Sequence, residues 1–195
     1  MPWPTEQKQM TRERILGSAV KLFSAHGFDN VSINDVMKEA QLTHGAFYAH
    51  FNSKRELYTN AITSATKNSA LANTQEENGC KNLNVTKLLA DYLNIDHVRQ
   101  KTTPCPLAFL ATDVATREEE VRTAYTKVYT NLITTLNKQL NHLPSRKTRI
   151  HALSALMIGG VAVARALSDE KVALDLLDAC REYGEELLGE KNIEA

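Results

Sequence analysis

The sequence is short of several things, and each shortage removes a class of protein. Only three cysteines occur in 195 residues: Cys80, Cys105 and Cys180. They are odd in number and far apart, which argues against a disulfide framework and against a zinc site. No unbroken apolar run is long enough to span a bilayer, so no membrane partner is expected. The opening Met1-Pro2-Trp3-Pro4-Thr5-Glu6 lacks the apolar core of a secretion signal, and a cytoplasmic location is expected by default. Net charge is zero, so the overall field does not announce a nucleic-acid partner. Even over residues 1–60, seven Lys/Arg stand against six Asp/Glu, with three histidines beside them. A Gly-rich phosphate loop, a His-Glu-x-x-His motif and paired-cysteine spacing are all missing. No cofactor, no metal and no catalytic residues are therefore expected. Repeats and strand-like alternation are missing too.

What is present is ordinary for a folded chain: 43% hydrophobic and 24% charged residues, which excludes disorder. The length suits one good-sized core or two small ones sharing a helix. Helical spacing runs throughout. Residues 1–10 read as a loose arm, with a first helix from Thr11 carrying Ile15, Ala19, Leu22 and Phe23. Gly27 is its natural stop. Ser32 and Asp35 have capping-box spacing and launch a helix with Val36, Met37 and Ala40 inward. Gln41-Leu42 form a turn, and Thr43 starts the next helix with its hydroxyl as cap. Ser53 and Glu56 launch a longer helix with Leu57, Tyr58, Ala61 and Ile62, reaching about Asn68. Three helices with a tight turn between the last two form a helix-turn-helix arrangement.

Within it, Thr43 through Phe51 is the stretch the rest serves. Phe47 and Phe51 are four apart and share a buried face. The other positions, including His44, Gly45, Ala46, Tyr48 and His50, are small or hydrogen-bonding. A short helix of that kind suits a DNA major groove.

Beyond residue 70 the pattern stays helical. A polar joining stretch, about 72–84, precedes a helix with Val85, Leu88, Leu89 and Tyr92. Residues 94–104 read as irregular. Pro106 suits the first turn of a helix carrying Leu107, Leu110, Ala111 and Val114. Long helices are expected over about 118–140, 149–167 and 170–188. The segment 149–167 is apolar on most sides and rich in small residues, so it must be covered all round. A second copy of the chain, packed through these last two helices, is the expected cover; a buried central helix in a monomer is the alternative. The expectation is an all-α chain. Residues 1–58 form the helix-turn-helix domain, whose linking helix continues to about 70. Residues 59–195 form a helical effector-binding and dimerisation domain.

Residues from about Thr11 to Tyr58 resemble the TetR family of bacterial one-component repressors. Gly27-Phe28, Val31-Ser32-Ile33, Val36, Ala40, Thr43 through Phe51, and Ser53-Lys54-Arg55-Glu56-Leu57 carry the likeness. The resemblance implies a homodimer on a palindromic double-stranded DNA operator, released when an effector in the C-terminal domain changes the spacing of the reading helices. It implies phosphate-side roles for Ser32 and Thr43 at helix starts, for the Tyr48 hydroxyl and for Lys54. His50 falls where the family has a histidine that supports the reading helix or touches phosphate. His44, Gly45 and Ala46 fall where base edges are read, which implies a guanine acceptor for His44, a thymine methyl for the Ala46 methyl and close approach at Gly45. Lys or Arg is missing just after Thr43, with His44 in its place, which suggests modest or pH-dependent affinity.

Effector candidates are Tyr92, His97, Phe109, Tyr125, Tyr129, Met157 and Arg165, because such hollows are apolar with a few polar anchors. Cys105, between Pro104 and Pro106, is expected at a helix N-terminus, where backbone amides lower a thiol pKa. It reads either as a sensor of electrophiles or oxidants or as a small apolar helix-start residue. Two other classes stay open. One is a small helical enzyme using Cys105 with His97. The other is a helical adaptor that binds protein only.

Overall fold

The computed structural model describes residues 5–64, 84–140 and 145–189. Among them are eleven helices and no strand, so the all-α expectation holds. The far end of the linking helix, nearly all of the polar stretch up to residue 83, Cys80 and Pro144 lie outside the described residues.

Thr11 does not start the first helix. Its hydroxyl donates to the Gln7 carbonyl at 2.8 Å, a bond made inside a helix, and α1 spans Thr5–His26. The arm expected up to residue 10 is thus helical from Thr5. Gly27 ends α1 as expected, with φ +77° and its N–H on the Phe23 carbonyl at 2.8 Å.

The capping box at Ser32 and Asp35 is formed. The Asp35 N–H donates to Ser32 Oγ at 3.1 Å and the Ser32 N–H to Asp35 Oδ2 at 2.8 Å, starting α2, Ile33–Glu39. The turn to α3, His44–Phe47, passes through Gln41 at φ +54°, a conformation costly for a residue with a Cβ. Arg14 of α1 holds that turn, donating to the Gln41 carbonyl at 3.1 Å and through Nε to the Ala40 carbonyl at 2.9 Å. α4, Lys54–Ser64, starts at Ser53, whose Oγ accepts the Glu56 N–H at 3.0 Å. The reciprocal bond goes one residue further back than a capping box requires, because the Glu56 carboxylate accepts the Asn52 N–H at 2.8 Å. α4 packs on both α1 and the long helix α9, Glu119–Gln139. A boundary at residue 58 therefore falls inside a helix that packs on both sides within one continuous core.

Asn84 caps α5, Val85–Tyr92, accepting the Lys87 N–H at 2.8 Å. The segment expected to be irregular contains α6, Ile95–Val98, capped by Asn94. The helix expected after Pro106 is two: α7, Pro106–Phe109, and α8, Ala111–Ala115, divided at Leu110. α9 has the expected limits and buries Val121, Val128, Leu132 and Leu136. α10, Arg146–Ala166, starts three residues earlier than expected, and α11 spans Glu170–Leu188.

By length and composition α10 is apolar enough to cross a membrane. Here its Ile150, Leu153, Met157, Val161 and Ala164 are buried, against α11, α9 and α7 among others. A Cβ on Gly160 would meet Cys180 Sγ at 3.1 Å, and one on Gly184 would meet Leu153 Cδ1 at 3.3 Å. The two glycines thus let α10 and α11 approach closely as an antiparallel pair.

Candidate nucleic-acid interface and regulatory cluster

The α2–α3 surface is built from below by aromatic rings. Phe47 and Phe51 are fully buried with ring centroids 5.8 Å apart, and Arg12 lies 4.8 Å over the Phe51 ring. With that face fixed, Thr43, His44, Gly45 and Tyr48 are left exposed. Tyr48 is 59% exposed, so it is not a packing residue of the core. Its ring meets His44 edge-on at 5.6 Å. No atom lies within 4 Å of a Cβ placed on Gly45, so the surface there is flat and open. Ala46 is partly buried against the core. α3 is only four residues long, shorter than the nine-residue stretch read from the sequence.

Three of the expected side chains are placed as follows. Thr43 takes the N-cap backbone conformation, but its hydroxyl makes no capping bond; the Ala46 N–H instead reaches the Thr43 carbonyl at 3.0 Å. His50 is half-buried, and its Nδ1 is buried with no protein partner. Burial, then Lys8 and Arg12, hold its pKa below the usual histidine value. Lys54 is folded down, its Nζ 4.3 Å over the Phe28 ring, and burial lowers its pKa while Asp29 opposes the shift. Ser32 is exposed at the α2 start, and its partner Asp35 and Lys54 lie close enough to shift each other's pKa.

Behind this surface lies a cluster that sequence spacing did not reveal. Asp113 of α8 accepts the Phe28 N–H at 3.2 Å and the Tyr58 hydroxyl at 2.5 Å. Arg117 donates to Asp113 at 2.8 Å and, through both terminal nitrogens, to Asp29 at 2.7 and 3.1 Å. Burial pushes the Asp113 carboxyl up, but Arg117, Tyr58 and the Phe28 amide together hold it below the usual carboxylate range. Burial and then the bond to Asp113 raise Tyr58 above its ordinary value, and the bonds to Asp29 and then Asp113 raise Arg117. Phe23, Phe28 and Tyr58 pack at centroid distances of 4.9 to 6.1 Å. The signal available in the sequence was only an Asp and an Arg four apart.

Six of the eight effector candidates lie in one neighbourhood. His97 is 4% exposed; its Nδ1 is 2.8 Å from the Tyr92 carbonyl, and its Nε2 accepts the Cys105 N–H at 3.3 Å. These two bonds fit one neutral tautomer, with the proton on Nδ1. Its ring touches Tyr92 at 4.7 Å and Phe109 at 5.4 Å. Arg165 lies 4.0 Å over Phe109 and donates to the Phe109 and Ser24 carbonyls. The Tyr125 hydroxyl donates to Leu107 O at 2.7 Å, and its pKa is pushed up to about 12 by burial and then by Cys105. The Tyr92 hydroxyl is buried without a hydrogen-bond partner of good geometry, although it adjoins the Cys105 thiol. The other two candidates lie elsewhere: Tyr129 bonds His151 at 2.9 Å, and Met157 is a buried core residue of α10.

Cys105 is the N-cap of α7, as the sequence suggested, but its thiol is not acidified. Burial pushes it up, and the Tyr92 hydroxyl with the Leu107 and Ala108 amides only partly opposes this. Nor does His97 activate it, since His97 engages the Cys105 backbone. That removes the nucleophile pair behind the enzyme alternative. An open cleft of about 1190 Å³ between α1, α4, residues 99–104 and α9 is lined by Arg12, Asn60, Arg99 and Lys127 among others. None of the eight effector candidates lines it. Among the described residues no three His, Cys, Asp or Glu are grouped to hold a metal.

On the far side, α10 and α11 expose apolar groups. Val163 is 51%, Val172 47% and Tyr183 59% exposed, and Leu174 and Leu167 are also open. Ala152, Ala155 and Ala166 of α10 are exposed as well.

Comparison with known proteins agrees with this geometry. Residues 15–61 match the family model for bacterial regulatory proteins of the tetR family. An uncharacterised HTH-type transcriptional regulator in the lacX 3' region of Lactococcus lactis is 26% identical over 194 residues, covering 93% of this chain and 96% of that protein. The HTH-type negative transcriptional regulator of the biofilm operon icaADBC, IcaR of Staphylococcus aureus, is 29% identical over 51 residues. That match covers 26% of this chain and 27% of that protein. The crystal structure of a TetR-family transcriptional regulator from Cytophaga hutchinsonii superposes with a TM-score of 0.76 at 16% identity, over 99% of this chain and 100% of that one. Residues 15–61 thus carry the helix-turn-helix segment of the tetR family of bacterial regulatory proteins, with its α2–α3 face exposed, and the chain as a whole has the fold of the solved TetR-family structure.

Proposed function

We propose that the chain is a repressor that binds a palindromic DNA operator as a homodimer and leaves it when an effector occupies the C-terminal part. Residues 1–58 form the DNA-reading part and residues 59–195 the regulatory and dimerising part. The observation that carries the reading is the exposed Thr43, His44, Gly45 and Tyr48 surface, set on a helix whose opposite face is locked by Phe47 and Phe51. His44 and Gly45 face base edges, with Ala46 at their margin. The Thr43 and Tyr48 hydroxyls and the Ser32 helix start take phosphate oxygens. Lys54 reaches phosphate by leaving the Phe28 ring, and His50 supports α3 from behind. Repression follows the role of IcaR, a negative transcriptional regulator.

The effector is a small molecule seated among Tyr92, His97, Phe109 and Tyr125, where the buried Tyr92 hydroxyl beside the Cys105 thiol offers a polar anchor. Modification of Cys105 by an electrophile is a second route. The place of Cys105 at the α7 start, partly exposed as a residue and beside the Leu107 and Ala108 amides, favours it. Its raised pKa means slow reaction at neutral pH, faster as pH rises.

The test is selection of a duplex from a random pool, followed by affinity measurement at several salt concentrations. A palindromic sequence bound with a steep salt slope, and weakened by Tyr48→Ala, is expected. Failure to select any duplex overturns the reading. If Cys105→Ser leaves release by a quinone unchanged, the thiol route falls.

A further inference from the structure

We propose that Asp113 is the joint by which the regulatory part sets the orientation of the DNA-reading part, acting through the Gly27–Asn30 loop without touching DNA. The functional half of this inference rests on the operator reading above.

The carboxylate sits in α8, in the C-terminal half of the sequence, yet its bonds to Phe28 and Tyr58 reach 85 and 55 residues back. Both of its oxygens are engaged. Arg117 extends the grip to Asp29 with a two-pronged bond, the geometry that fixes orientation as well as distance. The loop is fitted to the carboxylate: Gly27 has φ +77°, and a Cβ there would lie 3.2 Å from Asp113 Oδ1. Arg117 and Lys54 both cover the Phe28 ring, at 4.8 and 4.3 Å. This loop leads directly into Ser32 and α2, so its position sets where the reading surface points.

The other end of the same segment lies in the regulatory cluster. Cys105 caps α7 and its N–H rests on His97. Arg165, stacked on Phe109, donates to the Ser24 carbonyl at 2.9 Å near the end of α1. The segment 105–117 is thus a short strut between the cluster and the loop, with a break at Leu110. A shift of α7 reaches the loop through Asp113. Coupling of this kind needs only a difference in these contacts between two arrangements.

Two measurements on the full-length chain decide it. Amide exchange at Phe28 reads the joint itself, with no DNA present; Asp113→Ala is expected to speed it about tenfold. Affinity for selected operators whose half-site spacing is changed by one base pair reads the orientation. The wild type is expected to prefer one spacing by about tenfold, and Asp113→Ala to lose that preference while still binding DNA. Asp29→Asn, an exposed change that loosens only the Arg117 strap, is expected to give a partial loss and serves if Asp113→Ala does not fold. An unchanged Phe28 exchange rate, or an unchanged spacing preference in a folded variant, overturns the proposal. If the wild type selects no duplex, the operator reading fails, and Phe28 exchange alone still decides whether the joint exists.

Discussion

His97 shows how one side chain's surroundings fix its chemistry. Its two ring nitrogens serve two backbone groups, the Tyr92 carbonyl and the Cys105 N–H, and burial lowers its pKa. A protonated ring would lose its acceptor for Cys105. Replacing it with Leu leaves a buried donor and acceptor unpaired, at a cost of about 2 kcal/mol, measurable by urea unfolding. The pH dependence has a definite sign. The unfolded histidine titrates near ~6.5 and the folded one lower, so the unfolded chain takes up protons first as pH falls. The stabilisation is fully present above the unfolded value and is lost as pH drops through the folded value. His50, also lowered by burial, adds to the same slope. Wild type is therefore expected to lose melting temperature from pH 7.5 to pH 5.5 (~2 pH units spanning the unfolded value), and His97→Leu to lose less over that span. Equal slopes would refute the assignment.

At the scale of helices, the features that were legible in the sequence are the local ones. Ser32 with Asp35, Gly27 after Phe23, and the apolar spacing of Val121, Val128, Leu132 and Leu136 act within a few residues. Each is visible in a short window and each is formed. The α2 cap should be worth about 1 kcal/mol, the expected loss on Ser32→Ala, read by chemical denaturation together with weaker operator binding. What escaped was decided at a distance. Thr11 looks like a helix start, but α1 continues upstream of it. Leu110 sits in an apolar pattern that continues through it, so nothing local marks the break. The partners of Asp113 lie far away in sequence, and no spacing rule connects them. Of the reading surface, the residue identities and the buried Phe pair were legible; the folded-down Lys54 and the idle Thr43 hydroxyl were not, because they depend on Phe28 and on the four-residue length of α3. Close helix packing is another such long-range fact. A Cβ on Gly184 would fall 2.6 Å from Leu89 Cδ2. Gly184→Ala should gain roughly 1 kcal/mol of helix propensity and lose about 2 kcal/mol to overpacking. A net fall in stability of about 1 kcal/mol is expected, and a rise would show that Leu89 rotates away freely.

For the whole molecule the open question is how many chains bind. A single α2–α3 surface offers few cations, and net charge is zero, so long-range attraction to phosphate is weak. The proposed operator binding then calls for two such surfaces held together, because the second would engage at high effective concentration once the first is bound. The surface suited to holding them is the outer side of α10 and α11, which leaves Val163, Val172 and Tyr183 about half exposed, next to the small residues Ala152, Ala155 and Ala166. Two copies brought together there would bury these side chains around a twofold axis. Tyr183→Glu and Val163→Glu test this separately. Neither side chain supports the monomer core, so the folded single chain should lose no more than about 0.5 kcal/mol. Placed in an apolar interface, each carboxylate meets its own copy near the axis and cannot be solvated. Sedimentation should give twice the 21.7 kDa chain mass for the wild type and the single-chain mass for the variants. Operator affinity should fall by roughly a hundredfold or more in the variants. A monomeric wild type, or Glu variants that remain paired, would place the interface elsewhere, and with it the spacing at which two reading helices meet DNA.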